Sequence, residues 1–593
     1  MTIPSVELSP LDEAFAQFVM RTAQSHAPGW ATSAPLTVLG DTARLVSAER
    51  ATGNSCVDLR ELADTRVLLG ERDVHWPTLA AWQLVLRESG VCSSGGCISS
   101  GETEDAPLAA FTLDGARLYL TRYHRAEVRL SRALRHRLQG AEGDTEIPAT
   151  RFAQLFPART DAIDWQARAA VVALQSPVVF VTGGPGTGKT TVAARLLALL
   201  LHRDPGLTLA LAAPTGRAAA RLLEAVSTAA VRDGLHELDR VMPQLNGRTL
   251  HRLLGYHPAT QRFRHGPHRP LAEDVVIVDE ASMVDLLMMD ALVAALKPTA
   301  RLIVLGDPDQ LASVDTGFVL GDVTRAAQAE QAKETTLARA VVRLAYSWRF
   351  GQQVGIGRLA EAARQGDSAG AMAALHDPAL PDVAWQSPHR TASELLAPIA
   401  TPVQGLLATT TPREALSALA RFRVLCALRD GASGVAGLNA LIERWLLHQG
   451  RSATGWYDHR PILITANDAA TQLFNGDVGV TLAVDGIPMV HFLGGDGRVR
   501  SFAPSQLPTH ETAWAMTVHK SQGSEFDHVL VVLPDTDSRV LTRELLYTAV
   551  TRARRAVTIS GSERMIEAAI QRSVVRGSGL TERLLAEWGR AAG

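Results

Sequence analysis

From about residue 150 onward, apolar positions arrive as short solid runs rather than in alternation. The runs at 178–182, 207–213, 275–278 and 301–305 have strand length, and the stretches between them carry apolar residues at helical spacing. Strands apolar on both faces that alternate with amphipathic helices predict a parallel sheet with helices on each side. The same rhythm resumes at 422–428 and returns at 528–534 and 556–560, predicting a second α/β domain. Between these runs, 456–510 is Gly-rich and short-stranded, with turns at FNGDVG and LGGDGR, which predicts a small β-barrel inserted into the second domain. Six prolines (378, 381, 388, 398, 402 and 412) predict an irregular stretch over 377–412. Upstream, FTLDGARLYLTRYH places Asp114-Gly115 between alternating segments, a hairpin signal, and a helix is expected around 127–138 before the break GAEGDTE. Residues 1–90 are mixed helical and apolar without a motif, and GVCSSGGCISSGETEDA (90–106) reads as a flexible connector.

Composition narrows the class. A chain of 593 residues has room for three or four domains, and 46% hydrophobic with 20% charged residues is ordinary for a globular protein. Lys+Arg 59 against Asp+Glu 61 leaves a net charge of −2, so any nucleic-acid binding must come from a local groove. The start MTIPSVELSPLDEAF lacks the basic and apolar blocks of a signal peptide, and LLALLL (196–201) is too short to span a membrane, so the expected location is the cytoplasm. Four cysteines fit that reducing compartment. Cys92 and Cys97 in VCSSGGC have no second pair at similar spacing, which favours free thiols over a metal site.

The chemistry is concentrated at VTGGPGTGKTT (181–191), which satisfies G-x-x-x-x-G-K-[ST] directly after an apolar run. Gly183, Gly184, Pro185, Gly186, Thr187 and Gly188 form a loop whose N–H groups can cradle triphosphate oxygens, with Lys189, Thr190 and Thr191 opening a helix. ATP or GTP is the expected ligand. In VVIVDEASM (275–283), Asp279 is placed to hold Mg²⁺ together with Thr190, and Glu280 is a candidate base for the attacking water. One strand later, Gln310 in GDPDQL can sense the γ-phosphate; the alternative is a polar turn capping a helix.

Lysine occurs four times, at 189, 297, 333 and 520. Nuclease sites that hold Mg²⁺ through a [DE]-x-K triplet need an acid two residues before a lysine. Those positions are Thr187, Ala295, Gln331 and Val518, so no such nuclease triplet exists in this chain.

The P-loop, DEAS, GDPDQL, TVHKSQGSEF (517–526) and LLYTAVTRAR (545–554), in that order, resemble a superfamily 1 helicase. APTGRAAARL (213–222), TLHRLLG (249–255), SWRF (347–350), GLN (437–439), LFNGDVG (473–479) and RSVVRGSGL (572–580) narrow the resemblance to the RecD family, the α subunits of bacterial exodeoxyribonuclease V. The likeness spans roughly 107–580, and residues 1–106 resemble that family only in size. It implies an α/β fold of two RecA-like P-loop domains with an SH3-like β-barrel insertion in the second, plus a mainly helical N-terminal domain. The corresponding divisions are 1–106 for partner docking and linker, 107–149 for a hairpin–helix connector, 150–345 for the first RecA-like domain, 346–455 and 511–593 for the second, and 456–510 for the insertion.

Residue roles follow from the same resemblance. Gln166 corresponds to an adenine-reading glutamine, Arg349 and Arg552 to two arginines that reach the γ-phosphate from the second domain, and Glu525 to a link between nucleotide ribose and the DNA side. Pro214, Thr215, Gly216 and Arg217, with Thr249 and His251 and with Thr517, His519 and Lys520, correspond to DNA contacts. The implied cofactors are ATP and Mg²⁺. The implied partners are single-stranded DNA, double-stranded DNA ends, and RecB-like and RecC-like subunits in a heterotrimer, with no membrane. The implied activity is an ATP-dependent helicase moving 5′→3′, a polarity that no residue derives, with exonuclease activity belonging to the assembled complex. Two alternatives stay open: a stand-alone RecD-like helicase, and a non-motor P-loop switch or scaffold.

Overall fold

The computed structural model describes residues 5–26, 29, 34–95, 109–139, 149–157, 164–347, 354–387, 391–468, 470–494 and 497–589. The first lobe is a six-stranded, all-parallel sheet. Its strand order is Gly247–Thr249, Leu209–Ala213, Val275–Val278, Arg301–Gly306, Val178–Thr182, Val341–Arg343. Its central strands are buried on both faces, which is why they appear in the sequence as solid apolar runs. The two edge strands are three residues each and carry too little pattern to be seen beforehand. The second lobe has a five-stranded parallel sheet ordered Val383–Gln386, Ala553–Ser560, Phe526–Val532, Phe422–Cys426, Ala515–Thr517.

Three expectations change. The insertion is an open five-stranded antiparallel sheet whose end strands, Val499–Phe502 and His510–Thr512, do not pair with each other. Barrel closure by hydrogen bonds is therefore not seen among the described residues. Asn439 Nδ2 donates to Thr512 O at 2.9 Å, while its Oδ1 accepts from Ala515 N at 2.9 Å, so the last strand is tied to the second lobe.

The stretch 377–412 is not irregular. It contains the strand Val383–Gln386 and the helix Ala392–Leu407, with Pro398 and Pro402 inside the helix and a Thr391/Glu394 capping box at its start. Two interior prolines cost about 6 kcal/mol together. Leu396, Ile399, Val403 and Leu406 lie at helical spacing and are buried, each contributing about 1.5–3 kcal/mol. Burial therefore outweighs the breakers.

The hairpin after 106 is no connector. Phe111–Asp114 and Arg117–Leu120 form the middle of a four-stranded sheet, flanked by Cys92–Ser94 and Cys56–Asp58. It belongs with the N-terminal helices Pro10–His26, Ala34–Ala51 and Leu79–Glu88, whose core includes the stacked pair Trp76 and Trp82 at 4.3 Å. The end of the chain returns to this region as well. The helix Leu580–Gly589 leaves the second lobe and packs on Thr121–Gln139 and Val319–Gln328. Gly577 O accepts from Ser55 N at 2.8 Å, and the fully buried Glu127 accepts from Ser55 Oγ at 2.7 Å and Arg583 Nε at 3.1 Å.

Candidate functional site

The glycine loop turns from the strand Val178–Thr182 into the helix Lys189–Arg203. Gly186 and Gly188 have φ of +75° and +87°, left-handed conformations that a side chain would strain. A Cβ on Gly188 would also stand 2.3 Å from Gln166 Nε2. Gln166 itself is placed by its cap residue, Asp164, and donates to Thr187 O at 3.1 Å, which sets its carboxamide on the flank of the loop. Lys189 Nζ reaches the carbonyl oxygens of Gly183 at 2.6 Å and Gly184 at 3.0 Å.

This loop floors a cavity of about 280 Å³ between the two lobes. Pro185, Gly186, Gly188, Lys189, Thr190 and Thr191 line it from below, Asp279, Glu280 and Gln310 from the first lobe, and Glu525 and Arg552 from the second. Burial, and then the neighbouring Glu280 carboxylate, push the Asp279 carboxyl up, to about 6. Asp279 Oδ1 also accepts from Glu280 N at 2.8 Å. Glu280 holds φ of +53°, a strained conformation for a residue with a Cβ, of the kind that persists where surroundings impose it. The hydroxyl of Thr190 and the carboxylate of Asp279, hard oxygen donors facing one cavity, suit Mg²⁺.

Opposite the loop, Arg552 is 3% exposed, and its Nη2 donates to Gln310 Oε1 at 2.9 Å. Gln310 Nε2 donates to Asp307 Oδ2 at 3.0 Å, and the same oxygen accepts from Tyr547 Oη at 2.9 Å. A continuous hydrogen-bonded chain thus leaves the second lobe at Arg552, passes through the first, and returns at Tyr547. Asp307, Tyr547 and Arg221 were not singled out in the sequence. Arg221 Nη1 donates to Gly523 O, and its Nη2 lies 3.4 Å from Glu525 Oε2. Its signal was present, since Arg217 and Arg221 are four apart on one helix and share a face.

The expected DNA contacts fall into separate groups. Thr249 pairs in register with Ala213, so Pro214–Arg217 and Thr249–His251 leave adjacent strand ends. Thr215 caps the helix Gly216–Asp233, and Thr249 caps Leu250–Leu254. His251 packs edge-on against Tyr256 at 5.2 Å. Arg217 Nη1 donates to Gly476 O at 3.1 Å, and Phe474 sits so close that a Cβ on Gly216 would meet its ring at 2.5 Å. In the second lobe, Thr517 Oγ1 accepts from Lys520 N at 3.3 Å, and Lys520 Nζ donates to Glu511 Oε1 at 2.6 Å. His519 faces a different cavity, beside Gln310 and Arg576, and burial lowers its pKa. Arg349 and Cys97 lie outside the described residues.

A P-loop cavity closed by an arginine from a second parallel-sheet lobe defines a two-lobed P-loop ATPase. Residues 6–119 match the family "RecBCD enzyme subunit RecD, N-terminal domain", 166–316 the AAA domain, and 512–560 the UvrD-like helicase C-terminal domain. The chain is 42% identical over 543 residues to the RecBCD enzyme subunit RecD of Mycolicibacterium smegmatis, covering 90% of this chain and 91% of that protein. It is 36% identical over 488 residues to the RecD subunit of Haemophilus influenzae, covering 72% and 74%. Similarity to the ATP-dependent RecD2 DNA helicase of Deinococcus radiodurans is 32% over 503 residues, covering 82% of this chain but 61% of that protein. Among solved structures, a Bacteroides Pif1 helicase with ADP-AlF3 and ssDNA is 19% identical, with a TM-score of 0.38 over 68% of this chain and 92% of that one. The chain belongs to the RecD family, and with that family's helicase domains it is an ATP-dependent DNA helicase.

Proposed function

We propose that this chain is the 5′→3′ motor of a RecBCD-type helicase–nuclease, acting in the bacterial cytoplasm on double-stranded DNA ends. RecB-like and RecC-like subunits would be its partners, with the region 1–106 contributing to their docking and the exonuclease chemistry residing in another subunit. Identity of 42% to a RecD subunit against 32% to the RecD2 helicase favours this over a stand-alone helicase.

The observation that carries the motor reading is the contact from Arg552 to Gln310 across the cleft. Lys189 and the loop N–H groups would bind the β- and γ-phosphates, with Gln166 beside the base. Glu280 would take the proton of the attacking water, while Arg552, with Arg349 by resemblance, would meet the charge that develops on the γ-phosphoryl group. Thr190 and Asp279 would hold Mg²⁺, which when bound neutralises phosphate charge. Because Gln310 and Arg552 belong to different lobes, loss of the γ-phosphate would change how the lobes sit against each other. With a strand held by Thr215, Thr249 and His251 on one lobe and Thr517 and His519 on the other, each cycle would advance it. Glu525, bonded to Arg554 at 3.1 Å and near Arg221, would join the nucleotide side to that strand.

ATP hydrolysis by the purified chain with and without single-stranded DNA tests the motor. Turnover indifferent to DNA would leave only a nucleotide switch. Affinity capture from the native cell tests the assembly, and the absence of RecB-like and RecC-like chains would refute it.

A further inference from the structure

Gln310 is followed by a stretch, 311–317, without helix or strand, and three separate parts of the molecule hold it. The second lobe takes its first residue. Leu311 N donates to Thr548 Oγ1 at 2.9 Å, and Leu311 O accepts from Gln522 Nε2 at 3.1 Å. The N-terminal region takes its last two, with Thr316 Oγ1 donating to Arg50 O at 3.3 Å and Gly317 N to Gly53 O at 2.9 Å. Between them lies Arg576 of the RSVVRGSGL segment. Its Nη2 donates to Ser313 O at 2.5 Å, and its Nη1 to Asp315 O and Gly317 O at 3.0 Å each and to Ser313 Oγ at 3.3 Å.

All of these acceptors belong to one short segment, and the two terminal nitrogens of one guanidinium reach them together. The N-terminal turn presses on the same group: a Cβ on Gly53 would lie 2.5 Å from the guanidinium carbon. Arg576 Nε is buried without a hydrogen-bond partner among the described residues, so the guanidinium is held through its two terminal nitrogens.

We infer that Arg576 is a positioning residue for ATP turnover: it clamps 313–317 against the turn Arg50–Gly53 and thereby sets Gln310 in the nucleotide cavity. The N-terminal region then reaches the hydrolysis site through the 313–317 segment, which Arg576 and the bonds of Thr316 to Arg50 O and of Gly317 to Gly53 O hold together. Anything that moves the turn 50–53 changes the rate of hydrolysis without touching nucleotide.

The inference rests on the motor reading, and the test separates the two. Single-stranded-DNA-stimulated ATPase would be measured on the full chain for wild type, Arg576→Ala, Gln310→Ala, the double variant and Thr316→Val. Arg576→Ala is expected to lower kcat about tenfold with KM for ATP within about twofold, because the defect is misplacement and not lost binding. The double variant should be no slower than Gln310→Ala alone. Thr316→Val keeps the side-chain shape and should lower kcat about threefold, which covers the case of an Arg576→Ala chain that does not fold. Wild-type kcat in the folded variants, or losses that multiply in the double variant, would overturn the clamp. Wild-type enzyme without DNA-stimulated turnover would instead overturn the motor reading.

Discussion

Arg552 of the second lobe and Gln310 of the first are joined by a 2.9 Å hydrogen bond, and both line the nucleotide cavity. Arg552 also donates to Thr548 O and Ser524 O in its own lobe, so its position reports on that lobe. Arg552→Ala is expected to bind ATP normally and to lose turnover by on the order of 10³-fold, as removal of an arginine finger does. Equilibrium binding of a fluorescent nucleotide together with single-turnover hydrolysis checks this. Weakened binding with normal turnover at saturation would place Arg552 in ground-state recognition.

Lys189→Ala should abolish hydrolysis and leave the fold intact. The ammonium's hydrogen bonds go to the loop carbonyls of Gly183 and Gly184, and its loss removes a charge that favours the ionised Asp279 carboxyl, which burial already pushes toward its neutral form. Circular dichroism and a DNA-stimulated ATPase assay decide the matter, and wild-type turnover in a folded variant would remove the nucleotide site from this loop.

Much of the fold was readable in the sequence, for a physical reason. Strands covered on both faces must be apolar throughout, and Val178–Thr182, Val275–Val278 and Arg301–Gly306 declare themselves that way. Edge strands such as Gly247–Thr249 need no such pattern. The helix Ala392–Leu407 was hidden by its prolines, although Leu396, Ile399, Val403 and Leu406 carried the helical period. In the site, residues that need a particular chemical type, such as Lys189 and Asp279, were legible in their motifs. Tyr547 was not, because its importance comes from Asp307, 240 positions away. Arg217 and Lys520 show the converse: basic residues expected on DNA spend their donors here on Gly476 O and Glu511.

The fully buried Glu127 ties two distant segments together, one through Ser55 and the other through Gly579 and Arg583. Glu127→Gln would remove the buried one of the two carboxylates that Arg583 pairs with, leaving Asp114, at a cost of about 1–3 kcal/mol. The first thermal transition, followed by calorimetry, should fall by several degrees while nucleotide affinity stays unchanged. An unaltered transition would show that Asp114, the other acceptor of Arg583, suffices.

Deletion of 1–106 should give an aggregating chain without ATPase. The cut strips Cys56–Asp58 and Cys92–Ser94 from either side of the hairpin, exposing both of its edges. It also removes Arg50 O and Gly53 O from the 316–317 segment. Size-exclusion chromatography would read the result, and a monomeric truncated chain with near-wild-type turnover would show the N-terminal region to be dispensable to the motor.

The return of Gly577 to Ser55 has a consequence in time. The two residues are 522 positions apart, so at about 5–20 residues per second a ribosome needs roughly half a minute to two minutes to make the second after the first. Throughout that interval the Ser55 N–H has no Gly577 carbonyl to meet, and Glu127 has no Arg583. The N-terminal sheet, whose strands all lie before residue 121, therefore emerges from translation long before the 577–583 segment that bonds to Ser55 and Glu127.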